Sequence, residues 1–100
     1  MLIFNLKKEW FEKIKSGEKT HEYREVKPYW TKRIKKARAY LNTMTMLGIS
    51  CTIDCIFRLG YSVKNELYGS IKSINIVDGK NTDLKIDKSV YDIEFELIKN

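Results

Sequence analysis

Three side chains able to do polar chemistry fall within six residues of one another: Lys19, Glu22 and Arg24, just past Gly17 in the run Gly-Glu-Lys-Thr-His-Glu-Tyr-Arg. On an extended strand Glu22 and Arg24, two residues apart, share a face. An arginine there can hold a carboxylate rigid for the amino edge of a nucleobase and reach a phosphate itself. The same pair also satisfies two charges with no ligand at all. Lys19 would serve as a general base only if burial or neighbouring cations lowered its pKa. Otherwise it is a charged contact to a phosphate or carboxylate. Lys19 and Glu22 are therefore the candidates for catalysis, and neither is assigned a step. Strand alternation turns His21 away from Glu22 and gives it no partner in sequence, so it reads as a packed or exposed histidine, and no Ser-His-Asp triad is supported.

A second group follows. Tyr29 and Trp30 lie between Lys27 and Lys32-Arg33, the interleaving of aromatic and basic side chains that single-strand binders use. Trp30 with Ile34 at i,i+4 also explains itself as core, which leaves Tyr29 as the stacking candidate. Arg58, at the end of an alternating run, faces away from Cys51 and Phe57, toward either a cleft or solvent. The candidate ligand-binding set is Lys19, Glu22, Arg24, Tyr29, Lys32, Arg33 and Arg58. Residues 7 to 38 hold twelve Lys and Arg against five Glu, a net +7, while the other 68 residues sum to −1. Such a concentration suits phosphates. A lysine-rich chain decorating an exposed helix gives the same count, and lysines outnumber arginines fifteen to four.

The elements that must position these groups are short. At 100 residues, 43% hydrophobic and 32% charged, the chain reads as one folded domain rather than a disordered one. No apolar run approaches the roughly 20 residues of a membrane helix. The opening Met1-Leu2-Ile3-Phe4-Asn5-Leu6 lacks the basic leader of a secretory signal. The expected location is the cytoplasm, with no membrane partner, and the oligomeric state is left open. One histidine and two cysteines do not make a Cys/His zinc site, and no metal or cofactor is expected. The alternation from Ser50 to Leu59 predicts a strand that would hold the Cys51 and Cys55 α-carbons about 13 Å apart. A disulfide needs roughly 4.4–6.8 Å, so both read as reduced core residues.

Leu2 to Leu6 reads as a buried strand, and Lys8 to Ser16 as a helix with Trp10, Phe11 and Ile14 on one face. Gly17 fits the left-handed position that ends such a helix. Lys19 to Val26 then predicts a strand with Thr20, Glu22, Arg24 and Val26 on one side and Lys19, His21, Tyr23 and Glu25 on the other. Pro28 breaks it, and Tyr29 to Arg38 reads as a short basic helix or turn. Residues 39 to 47 are ambiguous. A strand near Tyr68 to Val77 changes phase around Lys72-Ser73, which predicts a bulge. Asp78-Gly79-Lys80-Asn81 is a turn, and Val90 to Ile98 alternates with Tyr91, Ile93, Phe95 and Leu97 inward. The expected fold class is α+β: five or six strands in a mixed sheet or partly closed barrel, with one or two flanking helices.

The run from Phe11 to Arg24 resembles the signature of ASCH domains, a branch of the PUA-like superfamily, whose motif Gly-x-Lys-x-x-Glu-x-Arg follows a short helix. Gly17, Lys19, Glu22 and Arg24 match all four named positions. The resemblance implies a small PUA-like β-barrel of five or six strands with one or two flanking helices, a cleft lined by the motif, and RNA or a nucleotide as ligand. Some small members hydrolyse N4-acylated cytidine or RNA, which implies as an alternative a hydrolase acting on a modified nucleoside or on RNA. That amidohydrolase subgroup pairs the motif lysine with a threonine three residues on. Here Glu22 stands at that position, so the hydroxyl nucleophile is missing and the resemblance tilts toward binding.

Overall fold

The structure is a computed structural model that describes residues 1–98. Five strands, β1 (Leu2–Leu6), β2 (His21–Glu25), β3 (Ile53–Leu59), β4 (Glu66–Asp78) and β5 (Ser89–Leu97), make one curled mixed sheet in the order β1-β3-β4-β5-β2. Only β1 and β3 run parallel, and the remaining pairs are antiparallel. Helices α1 (Lys8–Lys15) and α2 (Pro28–Met46) complete an α+β half-barrel, with β1 and β2 as its two edges.

The core follows from strand alternation. Leu2, Phe4 and Leu6 from β1, Cys55 and Phe57 from β3, and Tyr91, Ile93 and Phe95 from β5 meet Phe11 and Ile14 of α1 and Trp30, Ile34 and Leu41 of α2 in one cluster. Leu97 packs at its margin. The register of β4 against β5 shifts between Ile71 and Ser73, as the phase change in the sequence predicts. The extra residue lets Ile71 and Ile74, three apart, both point inward and be fully buried.

Helix α2 and strand β3 differ from expectation. Residues 39 to 46 continue α2, so the basic helix is 19 residues long rather than confined to Tyr29 to Arg38. Pro28 starts it with the fixed φ that a first helical position tolerates. Trp30, Ile34, Ala37 and Leu41 then keep an apolar stripe at 3.6 spacing against the core, which overrides the weak helix propensity of Tyr40, Asn42 and Thr43. In β3 the strand begins at Ile53, so Cys51 precedes it rather than belonging to it. Cys51 is half-buried beside the core, Cys55 is buried, and both are free thiols.

The sheet is packed tightly where Gly69 faces inward between Cys55 and Leu97. A Cβ there would lie 2.8 Å from the Phe57 ring and 3.1 Å from the Cys55 sulfur. Phe57 is fully buried and has nowhere to retreat. Gly69→Ala should cost about 1–3 kcal/mol, read as a shifted midpoint in chemical denaturation. Burial, with a smaller push from the Asp54 carboxylate, raises the Cys55 thiol to about 12. At pH 8 a thiol reagent should therefore label Cys51 in the native protein and Cys55 only after denaturation; rapid labelling of both would mean that the core opens.

Candidate functional site

Gly17 ends α1 in the left-handed region at φ +86°, as its position in the sequence predicts. Its N–H donates to the Ile14 carbonyl, and the Lys19 N–H donates to Lys13 at 3.0 Å. Lys19 is thus tied by its backbone to the last turn of α1 before β2 begins at His21. This differs from the expected strand over Lys19 to Val26. Because Lys19 lies outside the strand, alternation does not carry it to the face opposite Glu22. Within β2 the predicted alternation holds. Glu22 pairs with Ile93 and Arg24 with Tyr91, so both charged side chains point to the concave side, where neighbouring strands place apolar ones.

There the charges form a closed network. Glu22 is 5% exposed. Its Oε2 accepts from Arg24 Nε at 3.1 Å and Nη2 at 2.6 Å, while Oε1 accepts from the Tyr23 N–H at 3.3 Å. Lys19 Nζ lies 3.6 Å from Glu22 Oε1 and 2.6 Å from Asp83 Oδ2. Arg24 also donates from Nη2 to the Asn5 carbonyl of β1 at 3.1 Å, and its guanidinium sits over Trp30 and Phe4. The Lys19 ammonium sits 5.3 Å from the centroid of Trp10 and 5.0 Å from that of Tyr23. Each cation therefore has both carboxylate and aromatic partners.

A cleft of about 430 Å³ opens over this network. Trp10 of α1 and Trp30 of α2 line it, with Leu84 and Ile86 from the loop before β5 and Glu22 and Arg24 from β2. The loop is pinned at Gly79, whose N–H donates to the Lys88 carbonyl and whose own carbonyl accepts from the Ile86 N–H and the buried Thr82 hydroxyl. That fold-back carries Asp83 to Lys19. The volume and the mixed apolar and polar walls are those of a small-molecule site. Beside Lys19, the Tyr23 phenol is raised above its ordinary pKa, first by burial and then by the carboxylates of Asp92 and Asp83, so it stays a neutral hydroxyl at physiological pH.

The remaining candidates fall elsewhere. Tyr29, Arg33 and Arg58 line a second cavity of about 530 Å³, joined to the first in that Asn5 lines both. Lys32 is exposed on α2 and lines neither cavity. His21, without a partner in sequence, lies 2.7 Å from Asp92 Oδ1 through Nδ1. Asp83, Leu84 and Ile86 had no signal in the sequence, because residues 82 to 88 carry no periodicity and Asp83 is 64 positions from Lys19. Trp10 was readable as an apolar helix position but not as a cleft wall.

Removing Arg24 would leave the buried Glu22 carboxylate with only the Tyr23 N–H and the Lys19 ammonium at 3.6 Å; breaking a buried pair typically costs about 3–5 kcal/mol. Arg24→Ala should lose about 3 kcal/mol, the lower end, because the guanidinium is partly open to the cleft. The double variant Glu22→Leu, Arg24→Leu leaves no stranded charge on β2 and should recover most of that loss in denaturant titrations. A double variant no more stable than Arg24→Ala would show that the loss comes from the missing Arg24 contacts and not from an unbalanced Glu22.

No family model, no curated protein and no solved structure matches the chain, so what the cleft can bind has to be read from its own geometry.

Proposed function

We propose that the chain is a PUA-like domain of the ASCH type that binds a nucleotide, alone or within RNA, with the base in the cleft over Glu22. The observation that carries this reading is a buried carboxylate held by Arg24 at the floor of a cleft with tryptophan walls. Glu22 Oε2 is taken up by the guanidinium, while Oε1 has only the 3.3 Å Tyr23 N–H and the more distant Lys19. An acceptor so placed suits an exocyclic amino group, the edge by which carboxylates read cytosine. Trp10 offers a partly exposed ring for stacking.

The cleft mouth suits a phosphate. Lys7 and Lys27 line it, and α2 begins there with no side-chain cap and no acidic residue in its first turn. A helix start of that kind attracts an anion through its free N–H groups and dipole. Arg24 is already committed to Glu22 and Asn5, which leaves the phosphate to these other groups. Thr20, the hydroxyl nearest Lys19 in sequence, is exposed and does not line this cleft, which favours binding over acyl transfer.

Titration with each of the four common nucleoside monophosphates should change the tryptophan fluorescence, since Trp10 and Trp30 both line the cleft. Trp10→Leu should weaken binding by about tenfold, the lower part of what loss of one base–aromatic stack costs, with little change in melting temperature. Absence of any response, by fluorescence and by amide chemical shifts of β2, to all four monophosphates and to a short RNA would sink the proposal.

A further inference from the structure

The second cavity differs from the first in charge. In the first, Lys19 and Arg24 rest on Asp83 and Glu22, and Lys7, Lys27 and Glu25 complete a wall that mixes both signs. The second is lined by Arg33, Lys36 and Arg58, with no carboxylate in its wall among the described residues. Arg58 pairs with Glu66 across β3 and β4. Arg33 and Lys36 have no carboxylate within 4.0 Å among the described residues. Unpaired cations on a concave wall are what an anion with no other counter-ion requires.

The two cavities adjoin. Asn5 lines both, and Trp30 of the first meets Tyr29 of the second edge-on, with ring centroids 5.0 Å apart. Tyr29 is 53% exposed. The Arg33 guanidinium lies 3.5 Å over its ring and donates to the Tyr29 carbonyl at 2.9 Å, so the ring and the cation hold one another in place. A fixed aromatic face backed by arginine, between a base-sized cleft and a cationic cavity, sets side by side the contacts that single-strand binders combine, aromatic faces for bases and cations for the backbone.

We propose that the second cavity is a phosphate subsite adjoining the first cleft, and that the ligand is a single strand of two or more nucleotides rather than a mononucleotide. This rests on the reading of the first cleft as a base site. A duplex keeps its bases paired and stacked and cannot place one over Glu22, whereas a single strand can splay a base into it. An acidic peptide would be drawn to Arg33 and Lys36 but would leave the Tyr29 ring unused.

The test uses a fluorescent mixed-sequence RNA of about eight nucleotides, within the range of single-strand sites, and the four nucleoside monophosphates as separate probes. The RNA should bind at least about tenfold tighter than the best monophosphate, because each neutralised phosphate adds affinity through counter-ion release. The double reversal Arg33→Glu, Lys36→Glu should weaken the RNA by about tenfold or more and lower the magnitude of its salt slope by about 1.4. It should leave the monophosphate titration unchanged, which also shows that the variant is folded. If monophosphates bind but the RNA gains nothing and the reversal moves neither, the second subsite is refuted while the first cleft stands. If polyglutamate of matched charge displaces the RNA as well as unlabelled RNA does, the surface is a general acidic-partner face and the proposal fails. If neither RNA nor monophosphate binds, the base site falls and the subsite with it.

Discussion

Arg24 joins the two free edges of the sheet. Its Nε and Nη2 hold Glu22 on its own strand, β2, while Nη2 reaches the Asn5 carbonyl of β1. Edge strands expose unpaired backbone groups, and β1 and β2 are the two edges of the half-barrel. Among the described residues no backbone ladder joins β1 and β2, and a guanidinium supplies the link and satisfies one orphan carbonyl. The stacking of Arg24 on Trp30 and Phe4 explains why arginine suits this place. Its planar fork binds a carboxylate with two donors while its faces lie against rings, which a lysine ammonium cannot do.

That latch costs the core something. The inward positions of β5 that Glu22 and Arg24 oppose are Ile93 and Tyr91, and an all-apolar β2 would bury more surface at no electrostatic cost. The charges instead keep the gap between the edges polar and open, and the cleft occupies it. Lys19 adds to the arrangement from outside the sheet. It is anchored at its backbone by α1 and at its ammonium by Asp83, so helix, strand and loop converge on one carboxylate pair. Motion of the 79–88 loop would take Asp83, Leu84 and Ile86 with it, changing both the charge balance at Lys19 and the wall of the cleft.

What the sequence made legible follows local rules. Gly17 ends a helix because positive φ is cheap for glycine. Glu22 and Arg24 share a face because strands repeat every two residues. The bulge near Lys72 shows because Ile71 and Ile74 cannot otherwise both point inward. What stayed hidden is set by distant partners. The second half of α2 is held by Leu41 against the core rather than by the propensities of its own residues. Lys19 reaches Glu22 because the strand begins two residues later than its composition suggests. Asp83 arrives through a fold-back organised at Gly79, where a Cβ would come within 2.6 Å of the Lys88 carbonyl and 2.7 Å of the Ile86 carbonyl. The expected grouping of Lys19, Glu22 and Arg24 with Tyr29, Arg33 and Arg58 divides into two cavities, since α2 carries the aromatic-basic cluster round to the outer side of β1.

The division also changes how the basic first third of the chain is understood. Counted along the sequence, its cations form one undifferentiated patch of +7. In the fold they sort into two populations with different energetics. Lys19 and Arg24 are largely removed from water, balanced by Asp83 and the buried Glu22 and packed on rings, so salt screens them little and their contribution is shape and polarity. Among the described residues Arg33 and Lys36 have no carboxylate partner and stay solvated on α2, so their pull on an anion weakens as ionic strength rises. A ligand that touched only the first population would bind with an affinity nearly indifferent to salt. One that engaged both would show the salt dependence of the second and the selectivity of the first, because the position of Glu22 in its cleft is fixed by Arg24 and not by the ions around α2.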